Sequence, residues 1–275
     1  STCTVQSLGE GAWAVGGLVG NNSGRVAQCQ STGTVTGLGD RAYAVGGLVG
    51  SNGWGHVIAC YSTCVVSGNT RVGGLVGDNS QGHVIQSYSN GAVSSKGAEV
   101  GGLVGSDVEC EWRECYSTGF VTRCFWDIET SGQATSAGGE ARTTAEMRTV
   151  ATFTEAAWDF VGPADGPSDV WAEPEGGGYP ILWWQLAQWP PLPAFSGGTG
   201  QMDDPYRVST AEELNTIGCN PRLMESHFRL VADVNLAGVH FYPIGSESFA
   251  YAGVFDGNDH TVCQFAYDSD GADDV

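Results

Sequence analysis

The sequence predicts an all-β protein: a parallel β-helix, or β-solenoid, of about four coils with a small mixed α/β cap, followed by the start of a second solenoid domain. The main observation is a hexapeptide, Val-Gly-Gly-Leu-Val-Gly, which returns after 30, 27 and 28 residues. Repeats of this length are typical of solenoids. β-Branched residues and glycine dominate the repeats and no 3.6-residue apolar stripe appears, which disfavours helices. The four copies begin at Val15, Val45, Val72 and Val100.

A second phrase follows each hexapeptide, and Gly, Asn and Ser turns separate the two extended runs of a repeat. Three columns of mostly apolar residues should line the interior, and the first has the opposite strand parity from the other two. A bend is therefore expected after the first column. The phrases lie at residues 31–35, 62–66, 89–93 and 117–121, with a fifth copy at 1–5. The columns are Val26/Val57/Val84/Trp112, Cys29/Cys60/Ser87/Cys115 and Val35/Val66/Val93/Val121.

A polar residue stands seven positions after the start of each hexapeptide. Asn at a repeated turn accepts left-handed backbone geometry, and its amide can bond to the amide one coil away. This column is predicted to be a structural ladder, with a row of ligand-binding residues as the alternative. Its members are Asn22, Asn52, Asn79 and Asp107.

Three tyrosines form another column beside the cysteines and on the opposite strand face: Tyr61, Tyr88 and Tyr116. Stacked, exposed tyrosines are candidate binding residues for sugar rings. Ring stacking also rigidifies a sheet without any ligand. The sequence leaves both interpretations open.

These residues carry a resemblance to a known family. Gly-Gly-Leu-Val-Gly, then Asn, then a phrase such as Cys-Tyr-Ser-Thr-Gly-x-Val, resembles the GLUG repeat of bacterial surface and secreted proteins, which include adhesin-like proteins. The resemblance covers nearly all of residues 1–124. It implies a β-solenoid displayed outside the cell or on its surface, and it supplies no catalytic residues.

The periodicity stops near residue 124, and residues 125–188 are predicted to cap the solenoid. An open β-helix end exposes strand edges, so a terminal covering unit is expected. Thr143 and Glu146 form a capping-box pattern before a run with helical spacing that reaches Trp158.

The remaining chain should form a linker and a further domain. Residues 189–198 are rich in Pro and Gly, which favours an extended linker. Residues 199–275 resemble the opening of another GLUG-type solenoid. Strands are expected at 204–208, 227–231 and 253–260, with a helix from the capping box at Ser209 to about Ile217.

Composition excludes several classes of partner. The net charge of −20, with a single lysine, opposes binding to nucleic acid or to an anionic membrane surface. No apolar run approaches the ~18 residues that a membrane-spanning helix needs, so no membrane insertion is expected. Zinc-protease, P-loop and Gly-x-Ser-x-Gly signatures are absent from the sequence, which therefore predicts no enzyme activity.

The best metal candidate is the acidic tail, where carboxylates bent by a glycine suit a hard ion such as Ca²⁺. The alternative is a disordered acidic end, and no other cofactor is predicted. The nine cysteines leave at least one unpaired, and the cysteine column permits either a bridge or a ladder of small residues. The candidate calcium ligands are Asp268, Asp270, Asp273 and Asp274.

The sequence thus predicts an extracellular structural or adhesive module. Because the first residue already lies inside a coil, the chain is interpreted either as a fragment or as a polymer subunit that stacks head to tail into fibres. The competing hypothesis is a β-helix that binds or degrades carbohydrate, so the candidate partners are a glycan or surface ligand and further copies of the chain.

Overall fold

Short parallel strands stack along the first half of the chain, each one coil after its neighbour. In this computed structural model the first three coils contribute five strands each. They are β1 (Cys3–Ser7), β2 (Ala14–Gly16), β3 (Val19–Asn22), β4 (Arg25–Ala27), β5 (Gln30–Ser31), β6 (Gly33–Gly37), β7 (Ala44–Gly46), β8 (Val49–Asn52), β9 (His56–Ile58), β10 (Tyr61–Ser62), β11 (Val65–Gly68), β12 (Val72–Gly73), β13 (Val76–Asp78), β14 (His83–Ile85) and β15 (Tyr88–Ser89). The residues described are 3–7, 13–38, 42–97, 99–107, 120–162, 166–188, 191–192, 194–245 and 249–266.

The strands continue into the segment that closes the stack. They are β16 (Val93–Ser95), β17 (Val100–Gly101), β18 (Val104–Ser106), β19 (Phe120–Thr122), β20 (Phe125–Asp127) and β21 (Glu140–Arg142). Two short helices belong to the same part of the chain, α1 (Ile128–Ser131) and α2 (Val150–Thr154).

Five parallel sheets run along the solenoid, and each takes one strand from every coil. Their strand orders are β1-β6-β11-β16, β2-β7-β12-β17, β3-β8-β13-β18, β4-β9-β14-β19 and β5-β10-β15-β20-β21. The predicted class, an all-β parallel solenoid, is confirmed. The whole chain has about eight turns, with up to five stacked strands in the sheets of the first part and three in the second. The predicted count of about four coils is therefore too low for the whole chain.

The paired glycines of the hexapeptide let neighbouring coils touch backbone to backbone. A Cβ at Gly47 would lie 2.1 Å from the carbonyl oxygen of Gly74 and 2.2 Å from Oγ of Ser62. No side chain fits there, and the glycines interrupt the strand alternation. As a result the next residue points inward: Leu48 and Leu75 are fully buried, and so are Val45 and Val72.

The bend expected after the first apolar column is a corner in left-handed backbone conformation. A non-glycine residue with positive φ stands directly before each member of the cysteine column. Such residues are uncommon, and each turns the strand so that both columns face the interior. They are Gln28 (φ 50°), Ala59 (φ 50°), Gln86 (φ 45°) and Arg123 (φ 55°).

The register of the last coil differs from the prediction. Val121 was expected in the third column but pairs with Val84 in the first. Phe125 then pairs with Tyr88, and Cys124 takes the place that was given to Cys115. Cys-Phe-Trp at 124–126 therefore continues the repeat instead of ending it, and the predicted column members Trp112 and Cys115 lie outside the described residues.

Residues 126–153 close the end of the stack. The indole of Trp126 lies over Gly102 and donates from Nε1 to the carbonyl of Gln133 at 3.1 Å. Ser136 Oγ bonds to the backbone of Val104, accepting from its N–H at 2.9 Å. Leu103 is consequently fully buried.

The helix predicted to reach Trp158 is shorter in the structure. The capping box at Thr143 and Glu146 forms, with Thr143 N–H donating to Glu146 at 2.8 Å. The box begins only a 3₁₀ turn, Glu146–Arg148, followed by α2. Ala157 has φ 57°, which ends helical geometry before Trp158.

The chain divides into two compact units, residues 1–156 with 176–179 and residues 157–175 with 180–275. In the second unit, helix α3 (Ala211–Gly218) has Thr210 as N-cap and Glu213 at its third position, one residue later than predicted. The predicted four-part division at 1–124, 125–188, 189–198 and 199–275 stays a prediction. The elements of the second unit are β22 (Trp171–Ala172), β23 (Ile181–Leu182), β24 (Tyr206–Val208), α3 (Ala211–Gly218), β25 (Phe228–Leu230), β26 (Val234–Asn235), β27 (Phe255–Asp256) and β28 (Val262–Cys263), with 3₁₀ turns at Trp183–Gln185 and Pro221–Leu223.

Strands β24 to β28 of the second unit also pair in parallel. Tyr206–Val208 pairs in register with Phe228–Leu230, and Val234 pairs with Val262. Antiparallel β22 and β23 lie at the start of the unit. Among the described residues, no helix has the length and apolarity required to cross a bilayer.

Candidate functional site

The column of asparagines is a continuous chain of side-chain hydrogen bonds. Asn22 Nδ2 donates to Asn52 Oδ1 at 2.8 Å, and Asn52 Nδ2 donates to Asn79 Oδ1 at 2.7 Å. Asn79 Nδ2 then donates to Asp107 Oδ1 at 3.2 Å. Every amide points the same way, with its N–H₂ toward the later coil. Asn52 and Asn79 each use both Oδ1 and Nδ2 within the ladder, which leaves these two amides little capacity to hold a ligand.

Asp107 is where the asparagine ladder ends. Burial raises the pKa of its carboxyl group to about 6, although the hydrogen bond from Asn79 acts to lower it. A carboxylate has no proton to pass to a further coil, so the series of donors stops here.

The tyrosines are not the exposed platform that the sequence suggested. The rings of Tyr61 and Tyr88 stack at 5.0 Å, but they are only 6% and 1% exposed. Phe153, at the end of the closing segment, and Tyr179 lie 6.3 and 6.2 Å from the Tyr88 ring. The expected exposure of these two residues is therefore wrong. Tyr116 lies outside the described residues, and Phe125 occupies the matching position.

The cysteine column forms a second ladder. The N–H of Cys29 donates to Cys60 Sγ at 3.4 Å, that of Cys60 to Ser87 Oγ at 3.0 Å, and that of Ser87 to Cys124 Sγ at 3.4 Å. Cys29, Cys60 and Cys124 carry free thiols. The column is thus one of small hydrogen-bonding side chains, as the ladder interpretation expects.

A buried carboxylate anchors the closing segment. Asp127 is fully buried and accepts hydrogen bonds from Thr144 Oγ1 at 2.7 Å and from the hydroxyl of Tyr179. It also caps α1 through the N–H groups of Glu129 and Thr130. Burial acts to raise the pKa of Asp127, but the hydrogen bonds, led by that of Tyr179, bring it below the ordinary value. Each neighbour of this carboxylate has a structural task.

A partly exposed column of rings on the solenoid surface was not predicted from the sequence. The imidazoles of His56 and His83 stack at 4.8 Å with an 8° interplanar angle, and Phe120 lies 5.3 Å from His83. The repeat column of the two histidines was the only signal in the sequence. Because the rings stack on each other, they present mainly edges to solvent, whereas sugar stacking needs an open ring face.

Metal-ligating side chains do not cluster among the described residues. No group of three or more His, Cys, Asp or Glu side chains there is placed to hold a metal ion. The predicted calcium ligands Asp268, Asp270, Asp273 and Asp274 lie outside that part of the chain, so the calcium site stays a prediction.

Comparison with known proteins supports the predicted resemblance. Residues 11–36 match the family model of the GLUG motif, which confirms the GLUG prediction for that stretch. The chain is 36% identical over 87 residues to halomucin from Haloquadratum walsbyi. That alignment covers 28% of this chain and only 1% of halomucin. No solved structure matches the chain significantly.

Proposed function

We propose that this chain, with its GLUG motif and its likeness to halomucin, is a structural module of an extracellular or cell-surface protein. Its task is mechanical: it holds other parts of that protein at a fixed separation. The chain spans about 1% of the length of halomucin, so the role is assigned to the module alone.

The observation that carries this proposal is the unbroken asparagine ladder. Amide hydrogen bonds connect every coil from Asn22 to Asp107, parallel to the direction in which the strands stack, and the first two of these bonds are buried. A satisfied buried polar network fixes the register between coils and rigidifies the interior. Rigidity of this kind serves a spacer, whereas a catalytic site needs reactive groups converging in a cleft.

Two further features support a structural role. The acidic composition keeps the chain soluble and repels other acidic surfaces. In addition, Arg71 lies in structural ion pairs with Asp78 at 3.0 Å and with Glu99 at 3.1 Å. We accordingly propose that the module has no enzymatic activity of its own.

Adhesion is the second part of the proposal. Trp13 is 72% exposed, with its ring 5.2 Å from that of Tyr43, and Trp54 is 66% exposed. Exposed aromatic rings of this kind are the surface groups on which sugar rings pack. These tryptophans replace the buried tyrosines as the candidate glycan contacts.

Single-molecule pulling on the full chain tests the mechanical role. We expect the first unit to unfold in one cooperative step that releases about 500 Å of chain, the extended length of its residues. A solenoid that unravels coil by coil at low force would contradict the spacer function. A glycan array with the wild-type chain and the Trp13→Ala and Trp54→Ala variants tests adhesion: binding that neither variant weakens would contradict the assigned contacts.

A further inference from the structure

Two histidines occupy one outward-facing column in the second and third coils. His56 begins β9 and His83 begins β14, and the two residues pair in register. The next residue of each strand, Val57 or Val84, is fully buried, so the imidazoles point away from the core. His56 is exposed and His83 is half-buried. Both belong to inner strands of the sheet β4-β9-β14-β19.

The asparagine ladder holds the backbone of both histidines in the same way. The carbonyl of His56 accepts from Asn22 Nδ2 at 3.3 Å, and the carbonyl of His83 accepts from Asn52 Nδ2 at 3.4 Å. Neighbouring strands of a sheet lie about 4.8 Å apart. The ladder therefore fixes where both imidazoles leave the backbone, one coil after the other.

The edges of the two rings are available to a ligand. Stacking at 4.8 Å with an interplanar angle of 8° occupies the ring faces, whereas the nitrogen atoms lie on the edges. In the part of the chain that the structure describes, no hydrogen bond or ion pair engages a ring nitrogen of His56 or His83. A neutral imidazole carries one lone pair on nitrogen and is the commonest metal ligand in proteins.

We propose that His56 and His83 together bind one divalent transition-metal ion, with water in its remaining positions. Imidazole suits Ni²⁺, Cu²⁺ and Zn²⁺, whereas Mg²⁺ and Ca²⁺ prefer oxygen ligands. Two imidazole nitrogens, each about 2.1 Å from such an ion, are at most about 4.2 Å apart. The rings therefore have to lean together at their outer edges, and binding exchanges their stacking for two metal–nitrogen bonds.

The neighbours of the pair limit the site to two protein ligands. Phe120 follows His83 in the column and offers no ligand. Arg25 precedes His56, and its positive charge opposes a bound cation. The net charge of −20 acts in the other direction, because it raises the concentration of divalent cations around the molecule. With fewer ligands than the four of a structural zinc site, the ion should bind reversibly.

A bound ion would join the second and third coils from the outside of the solenoid. The two imidazoles are held side by side only in the folded chain, so the ion binds the folded state in preference to the unfolded state. Such binding stabilises the folded state by mass action.

Calorimetric titration of the full chain with Ni²⁺, at a pH that keeps imidazole neutral, tests the site. We expect His56→Gln or His83→Gln to weaken Ni²⁺ binding by about tenfold or more. The reason is that the second imidazole binds at a high effective concentration once the first holds the ion. His240→Gln is the control and should leave the affinity unchanged, because the ring of His240 packs on Tyr242 and not on a second histidine.

A rescue in register distinguishes a pair of imidazoles from single exposed histidines. Arg25→His combined with His83→Gln rebuilds the pair with His56 one coil earlier, so it should restore the affinity for Ni²⁺. Arg25→Gln combined with His83→Gln is the matched control. It removes the same charge without adding a ring, and its affinity should stay low.

Two outcomes would overturn the proposal, provided that circular dichroism shows every variant folded. One is an equal affinity for Ni²⁺ in the wild-type chain and in the chain with both His56→Gln and His83→Gln. The other is a rescue variant that binds Ni²⁺ no better than its matched control. The spacer function does not depend on either result, since pulling is measured without added metal.

Discussion

The indole of Trp126 fills the space that a side chain at Gly102 would need. A Cβ at Gly102 would lie 2.0 Å from Cδ1 of the ring. In the preceding coils a serine stands in the column of Trp126, and Ser89 Oγ donates to the carbonyl of Gly102 at 2.7 Å. The same glycine thus accepts a hydrogen bond from within the solenoid and supports the ring that closes it.

Gly102→Ala should therefore displace the indole and loosen the closed end. We expect the free energy of unfolding to fall by about 2–3 kcal/mol, the usual cost of forcing extra atoms into a packed site. Gly53→Ala is the matched control, because a Cβ at Gly53 meets no atom within 4 Å. Urea unfolding followed by tryptophan fluorescence measures both. Equal stabilities for the two variants would contradict this account of Trp126.

The asparagine ladder predicts a graded series. Asn52→Ala removes a fully buried amide. Asn22 Nδ2 then loses its acceptor on Asn52, and Asn79 Oδ1 loses its donor. The expected loss is about 2–3 kcal/mol, since buried polar groups are left unpaired. Asn22 is the first member of the ladder among the described coils, so Asn22→Ala leaves no donor of an earlier described coil without its acceptor. We expect this variant to lose about 1 kcal/mol of unfolding free energy. Chemical denaturation measures the stability of both variants. A larger loss for Asn22→Ala than for Asn52→Ala would contradict this prediction.

A charge in the core should be far more costly than one on the surface of the same solenoid. Val72 is fully buried, so Val72→Asp should cost about 4 kcal/mol or more. Val65 is 50% exposed, and Val65→Asp should change stability by no more than about 0.5 kcal/mol. Thermal melting compares them. An unchanged melting temperature for Val72→Asp would be incompatible with the register described.

Asp107 gives a pH dependence with a definite sign. Burial raises its pKa from 3.8 to about 6, so between these values the folded chain binds more protons than the unfolded chain. Stability from this group is therefore greatest below pH 3.8 and is lost as the pH rises through about 6.

The Asp107→Asn variant isolates this effect. It keeps an acceptor for Asn79 without the buried charge, so we expect it to gain about 1 kcal/mol at neutral pH, a value reduced for partial exposure to solvent. The difference in stability between variant and wild type should disappear toward pH 3.8. Unfolding measured across this range provides the check, and a difference that does not change with pH would show that Asp107 keeps its ordinary pKa.

The repeat made the central coils predictable, because the same columns recur in consecutive coils. Val45 and Val72 repeat one hexapeptide position, and both are fully buried, as is Leu75. The inward turn of Leu75 could not be decided from alternation alone, since it depends on the close backbone contact that the glycine pair permits.

The register of the last coil was harder to predict, because two stretches of sequence could each supply the strand beside Tyr88 and Ser89. Residues 117–121 match the repeat more closely in sequence, yet Phe125 and Trp126 occupy the strand beside Tyr88 and Ser89. The large rings satisfy a requirement that the inner coils lack, namely covering the end of the core. The burial of Tyr88 was missed for a related reason: Phe153 and Tyr179 reach it from residues that are distant in sequence.

The common direction of the asparagine amides also has an electrostatic consequence. Each amide carries a dipole, and in this column the dipoles add, with the oxygen end at Asn22 and the hydrogen end at Asn79. A peptide helix has the same kind of summed dipole, and acidic side chains stabilise its positive end. Asp107 supplies negative charge at the positive end of this column. A longer array of such coils would carry a larger dipole, so the identity of the residue at each end would matter more as coils are added.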